Sequence, residues 1–111
     1  MTRLDFLNAP DRCIEAVDVP EWHTTLHVRS LTLHERQQLQ KAIKGVEKLG
    51  GDGTIPVILA CVSDENGNAI FHATDTEALE NKNGMVLERL VRASLKVNGF
   101  DATAVEQAKN A

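Results

Sequence analysis

A chain of 111 residues supports one domain with one modest core, since a domain of this size buries roughly two thirds of the surface that its unfolded chain exposes. Its net charge is −4 with acids and bases interspersed, so no basic stripe is offered to nucleic-acid phosphates, and a content of 42% hydrophobic and 25% charged residues excludes wholesale disorder. No stretch approaches the ~20 apolar residues of a membrane span, and MTRLDFLNAP at the N-terminus has no signal-peptide core, so a cytosolic protein is expected.

Aromatic residues make up only 4% of the chain and tyrosine is absent, which leaves the core to Leu, Ile, Val and Ala and favours helices over a large sheet. The predicted fold class is α+β: one domain over residues 1–111, mainly short α-helices with one N-terminal β-hairpin. Cys13 and Cys61 are expected as free thiols, Cys61 serving as a small core hydrophobe.

Thr2-Arg3-Leu4-Asp5 reads as a capping box that opens a short helix over about residues 3–9, closed by Pro10. The period then changes. Val17 and Val19 alternate with Ala16 and Asp18, and after Pro20-Glu21-Trp22-His23-Thr24 the alternation resumes with Leu26 and Val28, predicting a hairpin over about 14–29 with one buried face. Pro20 must stand at a strand end, because it cannot donate to a ladder. Thr32-Leu33-His34-Glu35 is a second capping box, and Leu39, Ala42, Ile43, Val46 and Leu49 carry a helix over about 33–49. Lys41, Lys44 and Lys48 gather near its end, where the helix dipole favours cations. Gly50-Gly51-Asp52-Gly53 stops it; without a following Lys-Ser/Thr this loop is a connector and not a phosphate cradle.

Thr54 to Lys82 is locally ambiguous. Val57–Val62 reads either as a buried strand, with Asp64–Asn68 as a turn and Ala69-Ile70-Phe71 returning, or as a helix capped by Thr54 with Pro56 in its first turn; propensity leans to strand. Thr74-Asp75-Thr76-Glu77 predicts a capped helix over about 75–81, and Asn83 a cap for a helix over about 84–98 with the stripe Val86, Leu87, Leu90, Val91, Ala93, Leu95 and Val97. Gly99 suits a left-handed C-terminal position with Phe100 making the hydrophobic contact after it, and Asp101 caps a last, weak helix over about 101–109.

Few residues carry chemistry. His23 and His27 are four apart on or beside one expected strand and thus share a face, which Cys13 could approach from the partner strand, but no CxxC or HExxH spacing accompanies them, and solvated histidines account for the pattern. No nucleophile or acid stands beside His72, and Asp64–Asn68 lacks the spacing of a calcium loop. Neither a metal nor any other cofactor is expected, and no catalytic residue is assigned. Trp22, at the hairpin turn, either covers the core or anchors a partner.

Three segments together resemble the tail assembly chaperones of long-tailed bacteriophages and prophages, the family encoded upstream of the tape measure protein. They are VDVPEWHTTLHVRSLTLHER (Val17 to Arg36), LACVSDENGNAIFHATDTEALENKNG (Leu59 to Gly84) and VLERLVRASLKVNGFDATAVEQAKN (Val86 to Asn110). His23-Thr24 and the glycine-rich 50–53 loop depart from the family pattern. The resemblance tips the ambiguous segment toward a helix over about 55–65. It also implies a non-catalytic role: binding the apolar, helical tape measure protein, recruiting the major tail tube protein through a longer frameshifted product, and acting in the bacterial host cytoplasm without entering the mature virion. Trp22, Val86, Leu90 and Val97 are the expected partner-binding residues, Phe71 and Phe100 the structural anchors, and a homo-oligomer is compatible with the family. An A-rich slippery run is expected at the codons of Lys109-Asn110, which reading the gene checks. The rivals are another small prophage structural component, such as a head-tail joining or tail terminator protein, and a small metal-dependent enzyme using His23, His27 and Cys13.

Overall fold

A computed structural model describes residues 1–99. Helix α1 (Arg3–Leu7) starts at the expected box: Asp5 N–H donates to Thr2 Oγ1, and Thr2 N–H donates to the Asp5 carboxylate at 2.8 Å. It ends at Leu7, two residues before the predicted limit, with Asn8 as its cap.

Strands β1 (Ile14–Val19) and β2 (Thr24–Arg29) form the hairpin within the predicted bounds, paired antiparallel from Ile14 opposite Arg29 to Val19 opposite Thr24. Pro20 starts a 3-10 turn (Pro20–Trp22) at the end of β1, where its missing N–H costs no ladder bond. Val17 and Val19 face the same side as Leu26 and Val28, and Val19 and Val28 are completely enclosed.

Helix α2 (Leu33–Lys48) opens at the Thr32–Glu35 box. Helix α3 (Thr54–Cys61) then resolves the ambiguous segment in both directions. Thr54 is its first residue and not its cap; Gly53 occupies the cap position, and the Asp52 carboxylate accepts the Thr54 N–H at 3.0 Å. The helix stops at Cys61, four residues before the predicted limit. Val62–Ser63 turns extended as β3 and pairs antiparallel with β2, Val62 opposite Val28 and Ser63 opposite His27. The sheet therefore has three strands in the order β1-β2-β3, with one more than the hairpin predicted. Local pattern missed β3 because its two residues are held by pairing with β2, 34 positions back at Val62–Val28. Asp64–Asn68 is the expected turn, and Ala69 forms a single bridge back to Ser63.

The third capping box is not where Thr74 suggested. His72 N–H donates to the Asp75 carboxylate at 2.8 Å to open a 3-10 turn (Ala73–Asp75), which runs directly into α4 (Thr76–Glu80), while Thr76 Oγ1 donates to Ala73 O. Helix α5 (Gly84–Val97) begins at Asn83, whose Oδ1 accepts the Met85 N–H at 2.9 Å. Gly99 adopts the expected left-handed conformation, φ +87°. Phe100 and the predicted 101–109 helix lie outside the described residues.

Helix α5 crosses both hairpin strands and packs along α3. The core between them is Val19, Val28, Ile58, Val62, Leu79, Val86, Leu87 and Leu90. It is aliphatic, as a chain with so few aromatic residues requires.

Candidate functional site

Side chains that join distant elements gather at the C-terminal end of α5. Asn98 caps that helix, and its amide bonds in three directions: Oδ1 accepts the Leu31 N–H at 2.7 Å, while Nδ2 donates to Ser94 O at 2.8 Å and Arg29 O at 3.2 Å. Arg36 from the first turn of α2 donates to Asn98 O at 2.7 Å. Arg29, at the end of β2, donates through Nε to Ala60 O at 3.0 Å and through a terminal nitrogen to Gly67 O at 2.8 Å. It thereby holds the end of α3 and the acidic turn to the sheet. Glu35 faces Arg29 and Arg12; burial raises its pKa, but the Thr32 N–H and the two guanidinium groups outweigh this and hold the carboxyl below its ordinary value.

Beside this network runs an open groove of about 460 Å³ lined by Cys13, Ser30, Leu31, Leu33, Arg36, Val97 and Asn98. Leu33 stands 72% exposed at its edge. Asp11 and Arg12 continue the lining toward α1, where Leu4, Phe6 and Leu7 are all exposed and no residue is buried. The Thr2–Asp5 box thus holds in helical form a segment whose apolar side chains pack against little of the fold. Such exposed apolar clustering is a mark of an interaction surface.

Of the residues expected to meet a partner, the structure brings only Val97 to this groove. Val86 and Leu90 are wholly enclosed, spent on the chain's own core, because the stripe of α5 faces both the hairpin and α3. Trp22 is half-buried against the core at the other end of the hairpin, with Lys82 Nζ 5.8 Å from its ring. Next to it Glu21 and Arg89 form a two-pronged ion pair at 2.7 and 2.8 Å, which fixes the hairpin tip to α5 and draws the Glu21 pKa down to about 2. Phe71 is half-buried and packed on the core cluster.

His23, expected on or beside a strand, lies one residue before β2 in a left-handed conformation, φ 54°. Cys13 is opposite Ser30, at the far end of the hairpin from His23, its carbonyl accepting the Ser30 N–H. Among the described residues no cluster of three or more His, Cys, Asp or Glu side chains is placed to hold a metal ion. The Cys61 thiol, buried under α5, has its pKa pushed up to about 11 by desolvation, so it is a neutral packing group and not a nucleophile. The acidic turn satisfies itself: Asp64 Oδ1 accepts the N–H groups of Asn66 and Asn68, which lowers the pKa of its carboxyl.

No protein-family model matches the chain, and no curated protein matches it by sequence. A solved structure does match. The bacteriophage HK97 tail assembly chaperone superposes with a TM-score of 0.62 over 87% of this chain and 91% of its own, at 17% sequence identity. This chain has the tail assembly chaperone fold. Within that fold, the Arg29 and Asn98 network is the part that sequence reading missed. Asn98 was visible only as a helix end and Arg29 only as a strand residue, since their partners lie 31 to 69 positions away. No helix of the described residues is long and apolar enough to cross a membrane.

Proposed function

We propose that this chain is a non-catalytic tail assembly chaperone of a phage or prophage, which binds the tape measure protein and promotes tail tube assembly. The observation that carries the reading is the superposition on the HK97 chaperone over nearly the full length of both chains. The physical task is to keep a long apolar helix soluble until the tube covers it. The exposed Leu4, Phe6 and Leu7 of α1, with Leu33 and Val97 at the groove, are the apolar surface that suits such a helix. Val86 and Leu90 act only by holding α5 in place. The major tail tube protein is the second partner, reached through a longer frameshifted product, and the work is done in the host cytoplasm before the virion is complete.

Co-expression with the tape measure protein tests this. The expected result is that the tape measure protein moves from the insoluble to the soluble fraction and co-purifies with this chain. A tape measure protein equally insoluble with and without the chain contradicts the proposal. Mass spectrometry of purified virions is the companion test, with the chain expected to be absent.

A further inference from the structure

The chain contains three Asn-Gly steps, Asn66-Gly67, Asn83-Gly84 and Asn98-Gly99, and the fold puts them in different settings. At such a step the glycine amide nitrogen, unhindered by a neighbouring Cβ, attacks the asparagine Cγ. The new N–Cγ bond closes a five-membered succinimide, the Cγ–Nδ2 bond breaks, and ammonia leaves with the amide proton. Water then opens the ring at one of its two carbonyls, giving aspartate or isoaspartate. Water is the only co-reactant, and nothing is oxidised or reduced.

At Asn98 both reacting groups are held. Its side chain accepts from Leu31 N–H and donates to Arg29 O and Ser94 O, and the Gly99 N–H donates to Lys96 O at 3.1 Å. At Asn66 the nucleophile is held: Gly67 N–H donates to Asp64 O at 3.1 Å, and Gly67 is buried, with Ile14 Cδ1 3.0 Å from where a Cβ would stand. Asn83-Gly84 differs from both. Both of its residues are exposed, whereas Asn98 is half-buried and Gly67 is buried. Gly84 is the first residue of α5, so its N–H is one of the helix's orphan donors, with no partner among the described residues. Asn83 Oδ1 accepts the Met85 N–H at 2.9 Å, as Asn98 Oδ1 accepts that of Leu31, but the Nδ2 that must leave has no partner at Asn83 among the described residues, whereas at Asn98 it is held by two carbonyls.

We propose that Asn83 is the site at which the folded chain deamidates. The aspartate product keeps an oxygen in the capping position, and α5 survives it. The isoaspartate product inserts a methylene into the backbone at the cap and displaces that oxygen, so α5 loses its N-terminal anchor. Asn83 is thereby a built-in point of ageing at the start of the helix that carries much of the core.

The test is to hold the folded protein in mildly alkaline buffer, digest it, and follow aspartate and isoaspartate at each of the three steps by mass spectrometry, with the urea-unfolded chain as reference. In the unfolded chain all three steps are expected to convert at similar rates. In the folded protein Asn83 should convert first and Asn98 at least about ten-fold more slowly, the factor that corresponds to roughly 1.4 kcal/mol. Gly84→Ala, which favours the helix and so folds, should suppress conversion at residue 83. Conversion of Asn66 or Asn98 as fast as Asn83 in the folded protein overturns the assignment, as does a folded Asn83 that stays intact while its unfolded counterpart reacts.

Discussion

Helices α2 and α5 are of similar length, 16 and 14 residues, and both carry an apolar stripe in the sequence, yet they do different work. Helix α5 buries Val86, Leu87, Leu90 and Ser94, whereas α2 buries none of its residues. The stripe of α5 meets the hairpin on one side and α3 on the other; that of α2 leans chiefly on α3, with Leu39, Ile43 and Val46 left half-covered. A 3.6-residue period therefore shows which face of a helix turns inward and says nothing about how much of the fold waits there.

Substitutions matched on the two helices should expose this difference. Leu90→Ala, which empties a fully enclosed site, is expected to cost about 3 kcal/mol, while Ile43→Ala on α2 should cost only about 1 kcal/mol, both read by urea or thermal unfolding. Equal losses would mean that α2 is as firmly built into the core as α5. Next in size is Asn98→Ala, which strands the Leu31 N–H and the Arg29 carbonyl at the junction of α5 with the β2–α2 loop and should cost about 2 kcal/mol. Asn98→Asp should recover part of the loss, since an oxygen again faces Leu31 N–H. Phe71→Ala removes a ring that is only half-buried, and a loss of about 1–2 kcal/mol is expected. If Phe71→Ala instead leaves stability untouched and lowers tape measure binding, that ring belongs to the interaction surface.

Much of this fold was legible from local rules. The Thr2–Asp5 and Thr32–Glu35 boxes, the alternation of Val17, Val19, Leu26 and Val28, and the caps at Asn83 and Gly99 are all decided by residues within a few positions of one another. Non-local groups decided the rest. Cys61 ends α3 because the next two residues find β2 to pair with, and Val86 and Leu90 are unavailable to a partner because α3 and the hairpin reach them first. The groove and its Arg29–Asn98 border could not be read ahead, since they unite residues from both ends of the chain.

The smallest expected effect concerns the hairpin tip. Arg89 holds the Glu21 pKa at about 2 in place of 4.5, and a carboxylate whose pKa is lowered by folding stabilises the fold above its unfolded value. That contribution should be complete above pH 4.5 and fade as the pH falls toward 2. Melting temperatures across this window should fall less steeply in Glu21→Gln than in the wild type; parallel profiles would show that the exposed pair adds nothing.

The contrast between a helix that builds the core and the surface proposed to meet the partner is tested most directly on Phe6→Ser combined with Leu33→Ser, since both side chains are largely exposed. Melting temperature and solubilisation of co-expressed tape measure protein should be measured on the same preparation. The expected result is an unchanged melting temperature with solubilisation lost. A folded double variant that solubilises the tape measure protein as well as the wild type would contradict the assignment of this surface.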